Sequence, residues 1–241
     1  MFSTIQYAKT EHIATITLNR PEVVNAYNVQ MRDDLYQALL AVRDDSDVQG
    51  AILTGAGPKG FCAGADLREF GTAPSQTVAR SVRWERDVWG IMSSLDKPLV
   101  AAIHGYCLGS GVEIACLCDF RIAAEDAIFG TPEVALGLVP GAGGTQTLMR
   151  VVGQARAMEL LLTGKRIDAQ AALGMGLITK VVPSGQHVAE AQSLLKRVLR
   201  HPSAAVAAVK ATVYQGMDMP LAHALAAEHR KALTLAAASS K

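Results

Sequence analysis

No apolar run in the sequence approaches the roughly 18–20 residues needed to cross a bilayer, although hydrophobic residues make up 50% of its 241 positions. The opening stretch, Met1-Phe2-Ser3-Thr4-Ile5-Gln6, lacks a basic segment followed by an apolar one, so no secretory signal is expected. Charge of one sign is equally scarce. Lysine and arginine number 23 against 22 acidic residues, a formal net of +1, which gives no general attraction to nucleic acid or to an anionic membrane. Low-complexity tracts, charge blocks and long linkers are also missing. What remains is a chain too apolar and too periodic for disorder, long enough for one large domain or two small ones of about 100–200 residues each. The composition predicts a soluble, well-cored protein that partners neither nucleic acid nor membrane.

Cysteine is limited to Cys62, Cys107, Cys116 and Cys118. None forms a Cys-x-x-Cys pair, and His12, His104, His187, His201, His223 and His229 show no ligand spacing, so no metal is expected. Without an export signal, the thiols read as reduced, buried small hydrophobes in a cytoplasmic protein. Cys62 lies beside glycine-rich sequence, but no histidine or aspartate close to it in sequence would activate it as a nucleophile.

Secondary-structure signals are strong. Alternation from Ile13 to Leu18 predicts a strand. Met31, Leu35, Leu39 and Val42 follow at helical spacing, with Asn28 as N-cap. Ala51-Ile52-Leu53-Thr54 predicts a second strand. Ser75 to about Leu95 reads as one helix carrying Val78, Val82, Val88 and Met92, ended by Pro98. Leu99-Val100-Ala101-Ala102-Ile103 is continuously apolar, the mark of a strand covered on both faces. From about Gly153 the pattern is mostly helical, with breaks at Gly164, Pro183, Pro202 and Pro220. Its last part is alanine-rich and short of bulk for a core of its own, so it is expected to pack on the first part or on another subunit.

Three glycine loops stand out: Ala63-Gly64-Ala65-Asp66, Gly105-Tyr106-Cys107-Leu108-Gly109-Ser110-Gly111 and Pro140-Gly141-Ala142-Gly143-Gly144. None is a G-x-x-x-x-G-K-S/T phosphate loop, and none follows a first strand as a dinucleotide fingerprint would. Two run directly into helical pattern, where free N–H donors and a partial positive charge meet an oxygen well. Glu113 falls on the first turn after the second loop, and Glu133 follows Thr131-Pro132. Taken singly, each reads as a helix-terminal charge, and spacing alone does not bring them together.

Taken in order, these segments resemble the crotonase (enoyl-CoA hydratase/isomerase) superfamily. The resemblance is carried by Asn19-Arg20-Pro21 with Asn25-Ala26, Phe61-Cys62-Ala63-Gly64-Ala65-Asp66-Leu67 and Lys97-Pro98-Leu99-Val100-Ala101-Ala102-Ile103-His104-Gly105-Tyr106. It continues through Leu108-Gly109-Ser110-Gly111-Val112-Glu113-Ile114-Ala115, Cys118-Asp119 and Phe129-Gly130-Thr131-Pro132-Glu133. Gly137-Leu138-Val139-Pro140-Gly141-Ala142-Gly143-Gly144-Thr145-Gln146 and Leu162-Thr163-Gly164 complete it, over about residues 5–235.

The resemblance implies an α/β fold, a crotonase-like spiral of repeated ββα units over residues 1–182. A helical region, 183–241, would serve trimerisation and be shorter than in typical relatives. It implies an acyl-CoA thioester as substrate, coenzyme A being part of that substrate, and no separate cofactor. The partner expected is a second copy, as a homotrimer or a dimer of trimers. By motif position, the N–H groups of Ala65 and Ser110 would hold the thioester oxygen. Glu113 would position and activate water, Glu133 would transfer a proton at Cα, and Gly141 would line the water site. Val24, Ala26, Ala63, Asp66 and Leu67 would meet the CoA portion, while Lys59 reads as a solvated loop lysine. Because the hydratases carry both glutamates, the implied reaction is syn hydration of a 2-enoyl-CoA. An enoyl-CoA isomerase is the alternative, and a catalytically weak acyl-CoA- or RNA-binding scaffold is one of another class. The acyl pocket should draw on Arg68 to Trp89, including Phe70, Val82, Trp84, Val88 and Trp89. Arg80, Arg83 and Arg86, with Glu85 and Asp87, read as a solvated face. Thr147 stands where many relatives carry arginine.

Overall fold

Every residue of β5 (Leu99–Ile103) is buried, and alternate side chains enter different cores. Leu99, Ala101 and Ile103 join the main core, while Val100 and Ala102 join a second cluster with Ile52, Ile122 and Leu195. That division is the two-residue period of a strand covered on both faces. The computed structural model describes residues 2–239. The side chains of 79, 80, 82–84 and 239 lie outside that description, and with them the expectations for Arg80, Val82, Arg83 and Trp84.

β1 (Ile5–Thr10) and β2 (Ile13–Leu18) form an antiparallel hairpin leading to α1 (Val29–Asp44). Asn28 caps α1, its side chain accepting the Met31 N–H at 2.9 Å, as its sequence position predicts. Three units follow with a common plan. The first is β3 (Gly50–Gly55), β4 (Gly60–Cys62) and then α2 (Gln76–Glu85) with α3 (Val88–Ser94). The second is β5, β6 (Tyr106–Leu108) and α4 (Ser110–Cys116). The third is β7 (Phe120–Ala124), β8 (Ile128–Gly130) and α5 (Gly144–Val152).

In each unit the first strand joins a large sheet and the second a small one. The large sheet runs β1-β2-β3-β5-β7-β10, parallel beyond the hairpin, and ends on β10 (Lys180–Val182). The small sheet runs β4-β6-β8-β9 and closes on β9 (Arg166–Asp168), antiparallel to β8. Repeated ββα units are therefore the plan of the fold from β1 to α5, as expected. Between them lie α6 (Gln154–Thr163) and α7 (Ala169–Gly174), and α8 (His187–Val198) covers the second face of the large sheet through Ala191 and Leu195.

The single helix expected from Ser75 to Leu95 is two. Asp87 breaks it, because its carboxylate accepts the Gly90 N–H at 2.9 Å and starts α3 as a new helix. α9 (Ser203–Gly216) packs on the first part, as its composition suggested. Lys210 Nζ reaches the Lys97 carbonyl (2.9 Å) and Asp119 Oδ2 (2.8 Å), and Asp119 in turn accepts the Leu99 N–H. α10 (Leu221–Ser239) lies along α9 and leaves Leu221, Leu225 and Leu233 exposed.

Candidate active site

The second and third glycine loops meet at Glu113. The chain leaves β6 through Gly109, whose φ of +50° favours glycine, and enters α4 at Ser110. A Cβ on Gly109 would come within 2.9 Å of Glu133 Oε1, so the bare backbone also makes room for that carboxylate. As the first helical residue, Ser110 has an N–H with no acceptor inside α4. One turn on, Glu113 is 1% exposed, and its Oε1 accepts the N–H groups of Ala142 (3.0 Å) and Gly144 (2.9 Å). The start of α5, with its donors and its partial positive charge, is thus turned onto the Glu113 carboxylate.

The first glycine loop supplies Ala65. Its bridge to Tyr27 uses the neighbouring groups, with the Tyr27 N–H donating to the Gly64 carbonyl and the Asp66 N–H to the Tyr27 carbonyl, both at 2.8 Å. In a strand, successive N–H groups point to opposite sides, so the Ala65 N–H faces away from Tyr27. Gly64, at φ +103°, is what lets this segment abut β6, because a Cβ there would lie 3.2 Å from the Leu108 carbonyl. The loops bearing Ala65 and Ser110 are therefore neighbours.

Glu133 sits on a short 3-10 turn, Pro132–Leu136, and is half-buried. Its Oε2 is buried with no hydrogen-bond partner among the described residues. Burial, and to a lesser degree the Glu113 charge, raises its carboxyl above the ordinary glutamate range. A carboxyl of that kind holds a proton to higher pH than a solvated one.

Ala65, Ser110, Glu113, Glu133 and Gly141 all line one cleft of about 340 Å³. All five positions expected to be catalytic are brought together. The positions expected at CoA flank it rather than line it. Ala63 donates its N–H to the Val24 carbonyl at 2.9 Å, and Leu67 is exposed. Ala26 is buried, and Asp66 is held well below the ordinary carboxylate range by Arg68 (2.7 Å) and Arg20 (3.0 Å). Lys59 is exposed.

From the Arg68–Trp89 stretch, Phe70, Val88 and Trp89 line the cleft as expected. Glu85, Arg86 and Asp87 are exposed, as the reading of a solvated face expected, and the last two also border the cleft, where Arg86 pairs with Asp33 at 3.1 Å. Tyr27 and Arg32 line it too and were not foreseen. Tyr27 follows directly on the Asn25-Ala26 motif, which is the signal that pointed toward it. All four cysteines are buried and unpaired, and burial pushes the Cys62 thiol up to about 11, which removes it as a thiolate nucleophile. Among the described residues, no group of three or more histidine, cysteine, aspartate or glutamate side chains is arranged to hold a metal.

Known proteins share both the sequence and the fold. The model of the enoyl-CoA hydratase/isomerase family matches residues 8–240. A crotonyl-CoA hydratase of Syntrophomonas wolfei is 37% identical over 94% of this chain and 87% of its own. An (E)-benzylidenesuccinyl-CoA hydratase of Thauera aromatica is 39% identical over 91% and 86%. A Thermobifida fusca protein solved in complex with CoA superposes with a TM-score of 0.91, at 31% identity over 98% of this chain and 94% of that one. With its fold, its motifs and these relatives in agreement, the chain belongs to the enoyl-CoA hydratase/isomerase family, the crotonase superfamily.

Proposed function

We propose that this enzyme is an enoyl-CoA hydratase that adds water syn across the 2,3 double bond of an enoyl-CoA thioester. One observation carries the reading: two glutamates of different character face one cleft beside two backbone donors. The Ala65 and Ser110 N–H groups receive the thioester oxygen as it gains negative charge, and loss of such a donor costs about 10²–10³ in rate elsewhere. Glu113, fixed by the N–H groups of Ala142 and Gly144, takes a proton from the water that attacks Cβ, with the Gly141 backbone beside it. Glu133, whose raised proton affinity suits an acid, delivers a proton to Cα. Hydroxide adds at Cβ and hydrogen at Cα, so the product is a 3-hydroxyacyl-CoA.

Val24, Ala26, Ala63, Asp66 and Leu67 form the CoA side of the site, and coenzyme A enters only as part of the substrate. Four unpaired thiols fit a reducing, cytoplasmic setting. No helix among the described residues is long and apolar enough to cross a membrane. An isomerase would need only one of the two carboxylates and would leave solvent oxygen out of its product. Turnover of an enoyl-CoA in ¹⁸O water separates the two. Hydration places one labelled oxygen at Cβ of the product, whereas an unlabelled, double-bond-shifted product would overturn the reading.

A further inference from the structure

Asn19-Arg20-Pro21 and Asn25-Ala26 take no part in the chemistry proposed above, yet the backbone they enclose is strained. Val24 (φ +53°) and Asn25 (φ +55°) are consecutive left-handed residues. That conformation is unfavourable for any side chain with a Cβ and rarest for a β-branched one, so it persists only where the surroundings fix it. Here they do. Asn25 is fully buried. Its amide nitrogen donates to the Ala56 and Gly60 carbonyls, both at 2.9 Å, and its side-chain oxygen accepts the Arg20 N–H, also at 2.9 Å. The Asn25 N–H in turn donates to the Arg20 carbonyl. Arg20 and Asn25 are thus locked to each other, to the start of β4 and to the loop before it.

The other end of Arg20 reaches the candidate active site from behind. One guanidinium nitrogen donates to the Ala26 carbonyl (2.6 Å) and the other to Asp66 Oδ2 (3.0 Å). Ala26 precedes Tyr27 and Asp66 follows Ala65, so the guanidinium spans the bridge between Tyr27 and Ala65. That bridge is isolated and rests on two backbone bonds, Tyr27 N–H to Gly64 and Asp66 N–H to Tyr27. Two such bonds, without a ladder on either side, do little to fix the direction of the N–H that Ala65 turns the other way. A planar guanidinium with a donor on each segment does more, because its two bonds have a set geometry and one is charge-assisted. Arg20 is mostly buried, and Asp66 keeps a second cation, Arg68, at 2.7 Å.

We propose that Arg20 is a positioning residue for the reaction: by joining Ala26 to Asp66 it holds the Ala65 N–H in the direction of the thioester oxygen. This rests on the reading of Ala65 as an oxyanion donor, and the test separates the two. The full chain is mixed rapidly with 2,4-hexadienoyl-CoA, and the absorbance of the bound thioester is read before turnover. A conjugated thioester absorbs further to the red as donors polarise its carbonyl oxygen. Turnover of crotonyl-CoA and affinity for CoA, which has no thioester oxygen, are measured alongside.

The wild type should show the red shift, and Arg20→Gln should lose most of it. In that variant kcat should fall by about tenfold to a hundredfold, while the affinity for CoA changes by less than about threefold. Arg20→Lys keeps the charge without the planar fork and should behave like Arg20→Gln. A red shift and a kcat retained in both variants would show that the Ala65 N–H is held without Arg20 and would overturn the proposal. A loss of CoA affinity as large as the loss of kcat would also overturn it, since a general structural role would weaken both. No red shift in the wild type would instead overturn the reading of Ala65 and Ser110 as donors, and the proposal with it.

Discussion

Glu113 and Glu133 share a cleft but not an environment, and the difference supports the separate roles proposed for them. Glu113 spends one oxygen on two backbone donors, whereas Glu133 keeps a buried oxygen without any among the described residues. Because its proton affinity is raised on folding, the native chain binds more protons than the unfolded one between the ordinary glutamate range and the raised value. Stability from this group is therefore full at low pH and is lost as pH rises through that interval. Glutamine has no proton to lose. The melting temperature of Glu133→Gln relative to the wild type should accordingly rise from about pH 4 to about pH 8, and turnover should fall by about 10²–10⁴. Thermal scans at the two pH values check the first part. A difference that does not change with pH would mean that Glu133 titrates like a solvated glutamate.

At the scale of elements, the site depends on how closely α5 approaches α4. Gly144 opens α5, and a Cβ there would lie 2.9 Å from both Glu113 Oε1 and the Pro140 Cβ. Alanine is the better helix former by about 1 kcal/mol, so Gly144→Ala should leave the melting temperature within a few degrees. It should nevertheless push Glu113 off its donors and lower kcat by at least about tenfold. Unchanged kcat would show that the Glu113 position tolerates displacement. Such tertiary approaches are what the sequence could not disclose without its family motifs. The α1 and β5 periods were legible because apolar side chains mark one face or both. β1 was not, since Ile5 is its one buried residue and no alternation results. The three-residue strands β9 and β10 are too short to show a period. The roles proposed for Ala65 and Ser110 rest on backbone N–H groups, which leave no side-chain signal.

For the whole molecule, the large sheet is covered on one side by the main core and on the other by α8, which packs through Ala191 and Leu195 on β3, β5 and β7. The C-terminal helices are joined to this body through the largely buried Lys210–Asp119 pair, while Val209, Val213, Leu221, Leu225 and Leu233 remain exposed along α9 and α10. Exposed apolar side chains grouped along two packed helices suit an interaction face. The chain should self-associate through it as a homotrimer or a dimer of trimers, and light scattering that finds only monomer would contradict this. The most direct measurement of all follows the loss of the conjugated enoyl absorbance of crotonyl-CoA for the wild type, Glu113→Gln and Glu133→Gln, with CoA affinity measured alongside. Turnover by the wild type, lost in both variants while CoA binding is retained, is the predicted result. Turnover that survives in either variant would contradict a hydration carried by the two carboxylates together.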